Sequence, residues 1–133
     1  MDQSNYSVEF TEYSERHYIK PFKKKYKSKW DGTREIILVI CQRIDNILEF
    51  DRADLIAQVD EYKLVKLDFA VEGVNKSAKN SGNRCILHIN EAERKVQILI
   101  VYSKNDIAPP NETQKWKNDV KTNFKGIADI YSL

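Results

Sequence analysis

Alternation of apolar and polar residues predicts four β-strands in this chain. Residues 6–10 alternate with a period of two, and similar alternation covers 62–71, 83–90 and 95–104. The last two segments are separated only by the polar stretch 91–94, which predicts a hairpin. Together these segments predict a small sheet of mainly antiparallel type.

Apolar residues spaced three or four positions apart predict an N-terminal pair of helices. Thr11 is a candidate N-cap for a helix that begins at residue 12. Pro21 either kinks this helix or lies in the first turn of a second segment. Asp31 and Thr33 are candidate caps for the next helix. Its predicted apolar face consists of Ile36, Val39, Ile40, Ile44, Ile47 and Leu48.

A C-terminal helix completes the predicted order β-α-α-β-β-β-α. Asn111 is its candidate cap, and Trp116, Val120 and Phe124 follow at four-residue spacing. The acidic stretch 50–61 is ambiguous between the two periods. We therefore predict an α+β fold in which the helix pair and the terminal helix pack on the sheet. The length of 133 residues fits a single domain, 1–133.

Composition adds an expectation about the environment of the chain. A hydrophobic share of 41% and a charged share of 32% are those of an ordinary globular protein. The longest apolar run, 36–41, is far shorter than the roughly 18 residues that a membrane span needs. The first residues lack the features of a signal peptide. We expect a cytoplasmic protein with no membrane partner.

The cysteines and histidines indicate no cofactor chemistry. Cys41 and Cys85 lie on segments that both look buried, so we interpret them as small apolar residues in a reducing compartment. A disulfide or redox pair is the alternative. Two cysteines and two histidines at these separations do not form a zinc site. We expect neither a metal nor a small-molecule cofactor.

Charge is distributed unevenly although the net charge is only +2. Residues 15–29 contain seven basic side chains and one acidic one, whereas 43–61 contain six acidic and two basic. Segregated charge of this kind can steer a polyanion to one face. A solvated helix surface is the alternative. The candidate contacts to a polyanion in the basic run are Lys23, Lys24, Lys25 and Lys27.

Strand alternation predicts a cationic site at one end of the hairpin. Arg84, Ile86 and His88 share one side of the third strand, and Val96, Ile98, Ile100, Tyr102 and Lys104 share one side of the fourth. Arg84 should therefore lie near Tyr102 and Lys104. Lys76 and Lys79 enter at the same end, and Lys66 of the second strand completes the concavity. Such cations suit a phosphate-bearing partner, although Arg84 paired with a carboxylate is the alternative.

These motifs resemble the RelE/ParE superfamily of bacterial toxins, in particular its HigB-like branch. The resemblance extends from about residue 62 to 124 and consists of 66–70, Gly73, 81–84 and 102–106. The sequence departs from the family pattern at Asp68, where a basic residue is common. It departs again at 87–88, where an aromatic pair is common.

The resemblance implies an mRNA endoribonuclease that acts on the ribosome and is neutralised by a cognate protein antitoxin. Arg84 would contact the scissile phosphate, Lys104 and Lys79 would hold or activate the RNA, and Tyr102 would join them as a catalytic residue. Lys66 and Lys76 would bind RNA. A ParE-like gyrase inhibitor, a catalytically inactive relative and a non-catalytic RNA-binding domain are the alternatives.

The two histidines are weaker candidates for proton transfer. His88 has a suitable ordinary pKa, but it lies four strand positions from Arg84, roughly 13 Å at about 3.3 Å per residue. We expect it to be structural. His17 of the first helix is weaker still.

Overall fold

The computed structural model describes residues 5–48, 53–71, 82–103 and 111–133. Within these ranges, five strands form one sheet in the order β1-β5-β4-β3-β2. The strands are β1 Ser7–Phe10, β2 Ala53–Val59, β3 Tyr62–Phe69, β4 Asn83–Asn90 and β5 Lys95–Ser103. The predicted α+β class is confirmed, and β4 has the predicted bounds.

Helices lie between β1 and β2 in the chain and again after β5. The first helical segment comprises α1 Glu12–Ser14, a π-helical turn Glu15–Ile19 and α2 Lys20–Tyr26. It is followed by α3 Ser28–Gln42 and α4 Ile44–Ile47, and the described chain ends with α5 Glu112–Asn123 and α6 Lys125–Ile130. In the described ranges, no helix is both long and apolar enough to cross a membrane.

Strand β2 was not predicted, because it interrupts its own alternation. It pairs antiparallel with β3, and a bulge lies between Leu55 and Ala57. A bulge inserts an extra residue, so the side chains before and after it no longer keep a common period of two. The other pairs fit the antiparallel prediction except for β1, which runs parallel to β5.

The sheet is covered on both faces. On one face, Val65, Leu67 and Phe69 of β3 pack in a cluster with Trp30 and Ile37 of α3. On the other face, Leu64 and Ile86 pack in a second cluster with residues of the C-terminal helices, which include Trp116, Val120, Ala128 and Tyr131. The N-terminal and C-terminal helices thus lie on opposite faces.

The predicted apolar face of α3 and α4 was right only in part. Ile44 is fully buried, and Ile40, Ile47 and Leu48 pack against the core. The prediction was wrong for Ile36 and Val39, which are 41% and 56% exposed. The buried positions of the two helices are Trp30, Thr33, Ile37, Cys41 and Ile44. The helix already begins at Ser28 and places Trp30 in the core, and this anchor fixes which side faces the sheet.

The predicted caps have mixed outcomes. Thr11 caps α1, because its hydroxyl accepts a hydrogen bond from the Ser14 amide. Pro21 lies in the first turn of α2, the second of its two predicted roles. Asp31 and Thr33 do not cap α3: Asp31 lies within its first turn, and the Thr33 hydroxyl donates to the Lys29 carbonyl at 2.8 Å. Asn111 occupies the N-cap position of α5 without a side-chain capping bond.

A second bulge, in β5, changes the side of the sheet that its residues face. Ile86 pairs with Ile100 and Leu87 with Ile98, so Leu99 is the extra residue. Val96 and Ile98 consequently pack in the cluster with α3, whereas Ile100 and Tyr102 pack in the cluster with α5. The prediction that all of these residues share a side was therefore wrong for Val96 and Ile98.

Candidate functional site

Three neighbouring strands place Asp68, Arg84 and Tyr102 in one row. Asp68 of β3 is the cross-strand partner of Arg84 of β4. Arg84 is in turn the partner of Tyr102 of β5. The predicted proximity of Arg84 and Tyr102 is confirmed, because hairpin pairing joins the start of one strand to the end of the next.

Glu112 joins this row from the first turn of α5 to form what we term the arginine–carboxylate cluster (Asp68, Arg84, Tyr102 and Glu112). Arg84 Nε lies 3.3 Å from Asp68 Oδ1 and 3.6 Å from Glu112 Oε2. The Tyr102 hydroxyl donates to Glu112 Oε2 at 2.6 Å. Arg84 is therefore paired with carboxylates, the alternative that its sequence position had left open.

Two donors of Arg84 differ within the described part of the chain, since Nη1 has a hydrogen-bond acceptor there and Nε has none. Nη1 donates to the Gly82 carbonyl at 3.4 Å. Nε is buried, and among the described residues no acceptor meets it with hydrogen-bond geometry, although Asp68 is within ion-pair distance. A buried donor without an acceptor is uncommon in folded proteins. The contacts of Nε with Asp68 and Glu112 are therefore ionic contacts and not aligned hydrogen bonds.

Burial alters the protonation of two members of the cluster. Burial raises the pKa of Asp68, and the nearby Arg84 guanidinium opposes this shift. Burial, followed by the hydrogen bond to Glu112, raises the pKa of Tyr102 far above its ordinary value. Tyr102 consequently remains a phenol at neutral pH and acts as a hydrogen-bond donor, not as a base.

The predicted lysines are only partly described by the structure. Lys66 lies on β3 two residues before Asp68, opposite Ile86, and its side chain is half-buried. Lys76, Lys79 and Lys104 lie outside the described residues, so their predicted convergence with Arg84 stays a prediction. Lys23, Lys24, Lys25 and Lys27, at α2 and its C-terminal end, are all exposed.

A cavity of about 340 Å³ lies beside the cluster. β1 pairs only with residues 95–98 of β5, and beyond that point the first helical segment contacts the strand instead. The cavity lies between this segment and the end of β5. Its lining consists of His17, Tyr18, Pro21, Phe22, Lys25, Tyr26, Val101, Tyr102 and Ser103. Tyr102 thus belongs both to the cavity and to the cluster.

The sequence contains a pattern that both packs in the core and lines this cavity. Tyr18, Phe22 and Tyr26 recur every four residues, which is typical of a helix face turned to the core. Phe22 does pack against Trp30, with ring centroids 5.6 Å apart. Tyr18 and Tyr26 are only partly buried, so the same aromatic stripe also forms a wall of the cavity.

His88 is packed in the cluster with the C-terminal helices. Its Nδ1 lies 2.8 Å from the Tyr131 hydroxyl, and its ring stacks on Tyr62 with centroids 5.5 Å apart. Burial lowers the pKa of His88 to about 4. These contacts are those expected of a structural histidine. Across the described ranges, His, Cys, Asp and Glu side chains form no group of three or more that could hold a metal ion.

Comparison with known proteins gives one similar structure. No family model matches the chain, and no curated protein matches it. A solved archaeal RelE–RelB complex from Pyrococcus horikoshii OT3 contains a chain that is 13% identical in sequence. The match covers 75% of the present chain and 96% of that chain, with a TM-score of 0.44. A function for the present chain therefore has to be argued from its own residues.

Proposed function

We propose that this chain is the toxin of a toxin–antitoxin system, an endoribonuclease that cleaves mRNA on the ribosome. The observation that carries the proposal is the Arg84–Tyr102 pair, which lies beside a cavity lined by a lysine-bearing helix. The motif resemblance at 81–84 and 102–106 supports the same function.

The proposed reaction needs no cofactor. The ribose 2′-oxygen attacks the adjacent phosphorus, the bond from phosphorus to the 5′-oxygen breaks, and a 2′,3′-cyclic phosphate is left. A proton leaves the 2′-hydroxyl and another reaches the departing 5′-oxygen. Negative charge increases on the phosphoryl oxygens in the transition state, so a fixed guanidinium lowers the barrier.

The cluster suits part of this chemistry. The Arg84 guanidinium is held by Asp68 and Glu112, and a phosphoryl oxygen that displaces one of these carboxylates would take its place. Tyr102 keeps its proton, and its single O–H would turn from Glu112 to the reacting phosphate once the phosphate displaces that carboxylate. Lys79 and Lys104 remain the proposed further catalytic residues, and Lys66 and Lys76 the proposed RNA contacts.

The proposed partners follow from charge. The exposed side chains of Lys23, Lys24, Lys25 and Lys27 attract the phosphate backbone of mRNA. An acidic segment of a cognate antitoxin could cover the same lysines and block RNA entry. Because Glu112 and RNA phosphate compete for Arg84, positioning by the ribosome would supply the binding energy that the free protein lacks.

Primer extension on an mRNA under translation tests the proposal. We expect the natural protein to cut and Arg84→Ala to lose at least about 100-fold in rate, in line with removal of one transition-state donor. Arg94→Ala is the matched control, because Arg94 also pairs with a carboxylate, Asp45, at 3.3 Å. It should cut as the natural protein does, with both variants folded by circular dichroism.

Three results would contradict the proposal. Undiminished cutting by Arg84→Ala would remove Arg84 from the mechanism. Absence of cutting by the natural protein, with inhibition of DNA supercoiling, would favour a gyrase inhibitor. RNA binding without cutting, on or off the ribosome, would favour a non-catalytic RNA-binding protein or an inactive relative.

A further inference from the structure

The cavity beside β5 has the size and composition of a ligand site. Its 340 Å³ fall within the roughly 300–1,000 Å³ that is typical of small-molecule sites. Four of the nine lining residues are aromatic, namely Tyr18, Phe22, Tyr26 and Tyr102, and Tyr18 and Tyr26 are only partly buried. Rings of this kind offer flat faces on which another planar ring can stack.

The backbone of the first helical segment also departs from a regular helix at this point. Residues Glu15–Ile19 form a π-helical turn, and its His17 and Tyr18 both line the cavity. π-helical turns are rare and occur frequently at functional sites. The irregular turn and the cavity are separate observations that coincide at the same residues.

Charge at the cavity favours an anionic ligand. Lys25 lies over the Tyr26 ring, with Nζ 5.3 Å from the ring centroid. Its side chain is exposed, so an anion can approach it from solvent. The described residues that line the cavity include no carboxylate. A planar aromatic group that carries a negative charge therefore matches the site better than a neutral apolar ligand or a cation.

We propose that this cavity binds one nucleotide of single-stranded RNA, with the base among the tyrosines and the phosphate on Lys25. The inference rests on the proposed function, because it identifies the bound base as a neighbour of the scissile phosphate. Tyr102 provides the connection: it is one of the residues that line the cavity, and its hydroxyl belongs to the arginine–carboxylate cluster. The cavity would then select which nucleotide lies next to the cut.

Titration with adenosine 5′-monophosphate tests this inference without ribosomes. Binding is followed by backbone amide NMR shifts, with ribose 5-phosphate and inorganic phosphate as probes that lack a base. We expect the nucleotide to bind at least about tenfold more tightly than ribose 5-phosphate, because one base stacked on aromatic side chains is worth about that factor or more. The largest shifts should come from residues 17–26 and 101–103.

Two variants separate the base from the phosphate. Tyr26→Leu removes a ring face and should weaken nucleotide binding about tenfold while ribose 5-phosphate binding stays unchanged. Lys25→Gln should weaken binding of the nucleotide but not of adenosine. Lys20→Gln is the matched control, since Lys20 is an exposed lysine of the same helix outside the cavity. Because Lys25 is exposed, its substitution leaves the fold in place even if Tyr26→Leu unfolds.

Any of three results would overturn the inference. Equal binding of ribose 5-phosphate and nucleotide would mean that only phosphate is recognised. Equal losses in Lys25→Gln and Lys20→Gln would mean non-specific attraction to a basic helix. Failure of the proposed function is distinguishable: an intact nucleotide site in a protein that cuts no mRNA would leave this inference standing. Cutting by a protein that binds no nucleotide would refute this inference alone.

Discussion

The carboxylates around Arg84 determine how readily its guanidinium can bind phosphate. In exposed positions an arginine binds phosphate freely, but here Asp68 and Glu112 both lie within 4 Å of its Nε, at 3.3 and 3.6 Å. A phosphate group must share the guanidinium with these carboxylates or displace one. Glu112 lies on a helix and not on the sheet, so it is the member whose removal disturbs the row of strands least.

Glu112→Gln should therefore strengthen RNA binding. Loss of one negative charge about 4 Å from Arg84 is worth about 1 kcal/mol even at the dielectric constant of water, which corresponds to about fivefold in affinity. Fluorescence anisotropy with a labelled single-stranded RNA at fixed salt measures the change. Glu93→Gln, at an exposed position in the β4–β5 turn, is the control for general loss of charge. Equal gains in both variants would show that Glu112 has no special competition with RNA.

His88 should make the protein less stable in mild acid. Its pKa falls from 6.5 to about 4 on folding because it is buried. Between these values the unfolded chain binds a proton that the folded protein does not, so stability decreases as pH falls from about 6.5 to about 4 and then levels off. The loss should be about 2 kcal/mol once screening by solvent is allowed for.

Urea unfolding at pH 7 and pH 4.5 measures this effect in the natural protein and in His88→Gln. The difference between the two proteins isolates the histidine from other titrating groups. His17→Gln, a substitution at the exposed histidine, should retain the natural pH profile. A profile in His88→Gln identical to that of the natural protein would contradict the assignment.

At the level of elements, the first helical segment is fixed at its N-terminus and irregular in the middle. Thr11 caps α1 and also ties it to the sheet, since its hydroxyl donates to the Ile98 carbonyl at 2.9 Å. The segment ends at Lys27, which has a positive φ of 52° and separates α2 from α3. Both ends thus determine how the aromatic stripe meets β5.

Thr11→Ala should destabilise the protein by about 1–2 kcal/mol, since it removes a helix cap and a hydrogen bond to a strand carbonyl. Urea unfolding monitored by circular dichroism measures the change. Thr11→Ser keeps the hydroxyl and should recover most of the stability. An unchanged midpoint in Thr11→Ala would show that the cap contributes nothing to folding.

At the level of the whole molecule, helices on both faces exclude solvent from the central strands. Cys41 of α3 and Cys85 of β4 lie in the same cluster and are both free and fully buried. Burial raises the pKa of the Cys41 thiol to about 12 and raises that of Cys85 well above its ordinary value. Both thiols are therefore protonated and inaccessible in the folded state.

A thiol reagent at pH 8 should consequently react with neither cysteine until the protein unfolds. Reactivity measured across a urea series should increase in parallel with the loss of secondary structure, because thiolate forms only after exposure. Cys41→Ala and Cys85→Ala variants assign the signal to one thiol each. Fast reaction of either thiol without urea would mean that the packed helices open locally.

The sequence by itself determined the features that depend on neighbouring residues. Alternation gave the bounds of β4, and the short turn after it placed Arg84 near Tyr102, although the bulge at Leu99 set their direct pairing. The Thr11 cap was also predictable, because a threonine hydroxyl directly before a helix can accept a hydrogen bond from an amide of the first turn. Periodicity depends only on the residues of one segment, so it can be recognised without knowledge of the rest of the fold.

Only the tertiary structure decided what these elements meet. The bulges at β2 and β5 change side-chain direction within a strand, and Trp30 sets the buried face of α3. Packing of α5 brings Glu112 to Arg84, and the first helical segment encloses the cavity against Tyr102. Such contacts join residues far apart in the chain, so they depend on how whole elements pack and not on any local pattern.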